Sequence, residues 1–155
     1  RAKENGASRF CIVTSGRSES GRDFEKIYNH IESITGVSPT LYRFPGGSSN
    51  TVSNVPMEKF IKYLNDRNIT YYDWNALSGD AEGKEFPADE MIDRVLNGVD
   101  KYDVSVVLLH DTNALDVTVE MLPELIEELR KLGADMLPIT RTSSVIQHID
   151  AGSVK

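Results

Sequence analysis

Val104-Ser105-Val106-Val107-Leu108-Leu109-His110-Asp111 is the stretch whose reading decides the fold. Apolar, largely β-branched residues run through it almost without a break, and polar His110 and Asp111 end it. A strand with one wet face would alternate. A near-continuous apolar run reads instead as a parallel strand covered on both faces. Similar short runs lie to either side, at residues 9–14 (Arg9-Phe10-Cys11-Ile12-Val13-Thr14), 40–44, 69–72 and 135–139, with a further extended piece at 145–147. Between them the period changes to helical. Phe24, Ile27, Ile31 and Ile34 form one stripe, stopped by Gly36. Met57, Phe60, Ile61 and Leu64 form a second, opened by Pro56, where a missing N–H costs nothing. A third follows Pro87, with Asp89 and Glu90 placed to favour its dipole and Met91 or Ile92, Val95, Leu96 and Val99 facing inward. The fourth is Leu122, Leu125, Ile126, Leu129 and Leu132, stopped by Gly133, with Pro123 expected in its first turn. Residues 75–86 read as a long polar loop.

About five strands alternating with helices predict an α/β fold of repeated βα units and a mainly parallel sheet with right-handed crossovers. The architecture is a partial (β/α) barrel or an open doubly wound sheet, because an ordinary closed barrel takes about eight strands. With 155 residues, a single domain over 1–155 is expected, ending in a loose tail at 149–155. Seventeen Lys and Arg against 24 Asp and Glu leave a net charge of −7, which disfavours nucleic acid as a partner. The lone Cys11 excludes an internal disulfide and a CxxC metal site. No apolar run is long enough to span a membrane. Residues 1–9 lack the apolar core of a signal peptide, so the chain is read as intracellular or as lacking its targeting segment.

In either architecture the functional groups gather at the carboxyl ends of the strands. There the chain carries Arg43-Phe44-Pro45-Gly46-Gly47-Ser48-Ser49-Asn50, then Asp73-Trp74-Asn75 and Ser78-Gly79-Asp80, then His110-Asp111-Thr112. The loop at 46–49 lacks the lysine and spacing of a P-loop. Asp73, Asp80, Asp111 and Asp116 match no EF-hand spacing.

The order of these pieces resembles the later half of the NodB-type polysaccharide deacetylases, which act on peptidoglycan or chitin-like sugars. Arg43-Phe44-Pro45-Gly46-Gly47, Tyr72-Asp73-Trp74-Asn75 with Ser78-Gly79-Asp80, and Leu108-Leu109-His110-Asp111 carry the likeness, which runs over residues 35–148. The resemblance implies roles. Arg43 matches the arginine that pairs with the catalytic aspartate. Pro45, Gly46, Asp73 and Trp74 belong with the sugar groove, and Leu108 with the pocket for the acetyl methyl group. His110 matches the general acid that protonates the leaving amine. Amide hydrolysis of this kind needs a polarising metal, an activated water, a base and an acid.

The family's Asp-Asp motif and His-x-x-x-His pair do not occur in these 155 residues. The spacing of that pair falls on Ser18 and Arg22, which are not zinc ligands, and the remaining histidines are His30 and His148. No metal site and no cofactor are therefore expected here, although the family uses a divalent metal such as zinc. Residues 2–17, continuing through Arg22-Asp23-Phe24-Glu25-Lys26-Ile27, resemble a strand-and-loop segment of biotin synthase, a radical-SAM βα barrel, without its cysteine cluster loop. The chain thus reads as a hybrid, a biotin-synthase-like βα unit at 1–34 joined to a deacetylase-like portion at 35–148. Three readings stand: a deacetylase-derived domain that is inactive alone, a chimeric barrel fragment without chemistry, and a carbohydrate-binding remnant. An N-acetylglucosamine polymer is the expected ligand. Open sheet edges lead to an expected homodimer. The deacetylases resembled work outside the cytoplasm.

Overall fold

A computed structural model describes residues 21–111 and 116–155, with side chains from residue 25 onward in the first stretch. The expected strand at 9–14 and the biotin-synthase-like segment up to residue 20 lie outside the described residues. The described chain divides into two compact units. One holds the residues up to Asp73 together with Thr140–Lys155, and the other is Trp74–Ile139.

The first unit contains α1 (Gly21–Thr35), β1 (Leu41–Tyr42), α2 (Met57–Asn65) and β2 (Thr70–Tyr71). β1 and β2 are parallel, with Leu41 opposite Thr70 and Tyr42 opposite Tyr71. The amides of Thr70 and Tyr72 donate to the carbonyls of Thr40 and Tyr42, both at 2.9 Å. α1 stops as the sequence indicates, at Gly36 with φ 71°, whose N–H bonds the Glu32 carbonyl at 2.8 Å. α2 is stopped by Asn68 in the left-handed region, φ 54°. Tyr42, Phe44, Met57, Ile61, Leu64, Ile69 and Tyr71 form the core, and the rings of Tyr42, Phe44 and Tyr71 meet edge to face at 4.9 and 5.1 Å. Residues 149–155, expected to hang loose, are held. Ile149, Ala151 and Val154 pack on this core, Asn65 Nδ2 donates to the Ala151 carbonyl at 3.0 Å, and Asp150 caps a 3-10 turn at Ala151–Ser153.

The second unit contains β3 (Ala76–Leu77), α3 (Ala88–Val99), β4 (Val107–Leu108) and α4 (Asp116–Lys131). β3 and β4 are parallel, Ala76 opposite Val107 and Leu77 opposite Leu108. β3 lies where a loop is expected. Its two residues are too short to show a period, and Asn75 secures them by accepting from the Val106 amide at 2.8 Å and donating to the Val104 carbonyl at 3.0 Å. Met91, Ile92, Val95, Met121, Leu125 and Leu129 form the core between α3 and α4. α4 begins well before the expected turn, so Pro123 sits inside the helix. The N–H that proline lacks would have bonded the carbonyl of Val119, a residue 54% exposed, where water can serve instead.

The fold class is mixed α/β with short parallel strands, and among the described residues no closed barrel forms. The five-strand expectation is not met there: residues 135–139 form no ladder, and Met136 and Leu137 are 45% and 81% exposed. An apolar run can enter a sheet only where a neighbouring backbone offers hydrogen bonds, and this one finds none among the described residues.

Candidate functional site

The expected site residues fall in both units. Arg43, Pro45, Gly46 and Asp73 belong to the first, and Trp74, Leu108 and His110 to the second.

In the first unit, β1 delivers Arg43 and the turn that follows it. Phe44 is buried and anchors the start, Pro45 and Gly46 are exposed, and Gly46 and Gly47 take φ of 71° and 81°. Both conformations are left-handed and suit glycine. Arg43 is half-buried and has no ion-pair partner among the described residues. The Asp73 carboxylate is fully enclosed. Its Oδ1 accepts from the Ser48 amide at 2.7 Å, and its Oδ2 accepts from the Ser48 hydroxyl at 2.5 Å and the His148 amide at 2.7 Å. The Ser48 hydroxyl oxygen accepts in turn from the Ile149 amide at 3.0 Å. These three hydrogen bonds let Asp73 fix the 44–50 turn against residues 146–149. Two further links reinforce this. The Asp73 amide donates to the Ile146 carbonyl at 2.8 Å, and the Gln147 side chain donates to the Tyr71 carbonyl and accepts from the Ala151 amide, both at 3.0 Å. The Tyr71 hydroxyl donates to the Ile149 carbonyl. Burial, reinforced by the Asp73 charge, pushes that hydroxyl up to about 12. At the rim, the Ser49 hydroxyl lies 3.1 Å from His148 Nδ1.

In the second unit, β4 sets the alternation that presents His110. Val107 and Leu109 pack into the helical core, so Leu108 and His110 lie on the opposite face. His110 meets Asp80, whose side chain is 2% exposed. One carboxylate oxygen accepts from the His110 amide at 2.7 Å and the other lies 2.9 Å from His110 Nδ1. The Thr118 hydroxyl, buried in the first turn of α4, adds a bond of 3.3 Å. An ionised Asp80 can only accept, so the ring hydrogen sits on Nδ1 and proton exchange is confined to Nε2. The ring is 28% exposed. The arrangement is an oriented imidazole with one working nitrogen, suited to general acid or base chemistry. The sequence assigns a role to His110, whereas Asp80 stands in the Ser78-Gly79-Asp80 piece without a role of its own. The signal for it was the turn Ser78-Gly79-Asp80, in which Gly79 has φ 86° and the Ser78 hydroxyl accepts from the Asp80 amide at 3.2 Å.

Trp74 is half-buried, and Leu108 is half-buried in β4. Among the described residues, no three His, Cys, Asp or Glu side chains converge as a metal site. No helix among them is long and apolar enough to cross a membrane.

No protein-family model matches the chain. Solved structures do. The catalytic domain of peptidoglycan N-acetylglucosamine deacetylase from Eubacterium rectale is 34% identical, with a TM-score of 0.74 over 84% of this chain and 62% of that one. A CE4 esterase from Streptococcus mutans is 25% identical, with a TM-score of 0.62 over 74% of this chain and 50% of that one. A polysaccharide deacetylase from Bacillus cereus shares the fold at 20% identity and a TM-score of 0.59, over 82% of this chain and 61% of that one. Among curated proteins, biotin synthase from Leptospira biflexa is 32% identical over 76 residues, which is 46% of this chain and 22% of the enzyme. The chain therefore spans only part of the length of each relative it matches, and over that part its fold is deacetylase-like.

Proposed function

We propose that this chain is a polysaccharide-deacetylase-derived domain that carries the proton-donating side of an N-deacetylase site and does not hydrolyse substrate by itself. The observation that carries the reading is the Asp80–His110 pair, an enclosed carboxylate that holds the imidazole through both its backbone amide and Nδ1. The Eubacterium rectale deacetylase, similar over 84% of this chain, supports N-acetylglucosamine polymers such as peptidoglycan or chitin as the ligand class, and with it an extracytoplasmic place of work. In this reading His110 Nε2 gives a proton to the amine released when the amide breaks. Arg43 would pair with a catalytic carboxylate, Leu108 would line the acetyl pocket, and Trp74, Pro45 and Gly46 would contact sugar. These 155 residues contain neither the Asp-Asp motif nor the His-x-x-x-His pair, so the base and the metal ligands are missing from the sequence.

The biotin synthase match over 76 residues favours a second statement about origin, that the chain joins pieces of two βα barrels.

Two measurements test the function. N-acetylglucosamine oligosaccharides should perturb the ring resonances of His110 and the fluorescence of Trp74. Absence of both effects at millimolar sugar sinks the reading. Acetate release by the chain alone should stay at the buffer level with or without added zinc. Metal-dependent release that disappears in His110→Ala would show that the chemistry is complete in this chain.

A further inference from the structure

We propose that Arg94 is a positioning residue for the Asp80–His110 pair, its guanidinium clamping the 78–82 turn that presents Asp80. The inference rests on the reading of His110 as the proton donor.

Arg94 projects from α3 onto that turn. A Cβ built on Gly79 would come within 2.8 Å of the Arg94 Cζ and 2.9 Å of a terminal nitrogen, so the guanidinium lies directly against the glycine. It also packs on the Phe86 ring, 4.3 Å from the centroid. One terminal nitrogen is 2.8 Å from each Glu82 oxygen. The Glu82 amide donates back to the Gly79 carbonyl at 3.1 Å. The turn is therefore held from below by Arg94, closed by Glu82, and fixed above by the bond from the Asp80 amide to Ser78. α3 is itself seated hard on β3, because a Cβ on Gly98 would come within 2.8 Å of the Ala76 Cβ. A packed path thus runs from β3 through α3 and Arg94 to the turn that carries Asp80, whose carboxylate meets His110 Nδ1. Only a flat cation can lie on a glycine backbone, stack on a ring and engage a carboxylate at once, which an ammonium cannot do. The rival account is an ordinary surface ion pair, worth about 0–1 kcal/mol and without effect on the site.

The test is the Nδ1–H resonance of His110 in protein with 15N-labelled histidine, assigned by its loss in His110→Gln. Asp80→Ala should abolish it, and persistence there would overturn the Asp80–His110 reading itself. Given that control, Arg94→Met should lose or broaden the resonance while the backbone spectrum stays folded. Arg130→Met, which breaks a comparably formed exposed pair on α4, should leave it sharp. An unchanged resonance in Arg94→Met overturns the proposal and leaves the surface ion pair. If Arg94→Met does not fold, Glu82→Ala at an exposed position releases the guanidinium and carries the test. Loss of the signal there supports the clamp, and retention refutes it.

Discussion

Replacing Asp73 by asparagine keeps the shape of the side chain and removes its charge and one acceptor. The carboxylate accepts from the Ser48 amide on one oxygen and from the Ser48 hydroxyl and His148 amide on the other. An asparagine oriented to keep the last two sets its NH2 against the Ser48 amide, donor facing donor. One hydrogen bond to a charged group is lost, roughly 1.5–3 kcal/mol, and a buried N–H is left without a partner, about 1–3 kcal/mol. Neutralising a buried charge returns part of this, because its desolvation cost disappears. A net loss of about 3 kcal/mol is expected, and more for Asp73→Ala, which leaves three donors unmet. Urea unfolding read from the tyrosines of the first unit should show a lower midpoint with an unchanged slope. Hydrogen exchange gives the local reading: the Ser48 and His148 amides should exchange roughly a hundredfold faster, the equivalent of about 3 kcal/mol in opening free energy. A loss below about 1 kcal/mol with both amides still protected would refute the view that Asp73 ties residues 146–149 to the 44–50 turn.

Alkaline pH should weaken the first unit through Tyr71. Its hydroxyl is pushed up to about 12 by burial and by Asp73, so in the unfolded chain, near pH 10, it ionises first; the stabilisation is intact below pH 10 and is lost as pH climbs toward 12. Stability of wild type should fall by on the order of 2–3 kcal/mol across that window, and Tyr71→Phe, weaker at neutral pH for want of the bond to Ile149, should close the gap there; parallel pH curves for the two proteins contradict it. Gly98→Ala should destabilise the second unit by about 1–3 kcal/mol by thermal melting, because the methyl would meet Ala76 at 2.8 Å and helix propensity repays only about 1 kcal/mol. Self-association remains a proposal, motivated by the exposed apolar side chains of Met136, Leu137 and Ile139. Light scattering should give a mass above 17.3 kDa at micromolar concentration, and a constant 17.3 kDa through a dilution series would rule that out.

Helices were legible in the sequence because their signals are local. Gly36 and Gly133 end α1 and α4 at φ 71° and 78°, and Pro56 and Pro87 stand immediately before α2 and α3, so period and punctuation agree within a dozen residues. Strand cores at 41–42, 70–71 and 107–108 were legible for the same reason, as was His110 at the end of the last. What tertiary structure decided was pairing. Whether Ala76-Leu77 becomes a strand depends on Val107-Leu108, some 30 residues away, and whether 135–139 does depends on a neighbour that no local pattern reveals. The same separation hid the site's supporting cast. Asp80 has no role of its own in the sequence until the fold brings it 2.9 Å from His110, and the three donors around the Asp73 carboxylate, one of them 75 residues away, have no local signal. A side chain's type fixes what bonds it can make, but only packing decides whether water or protein makes them.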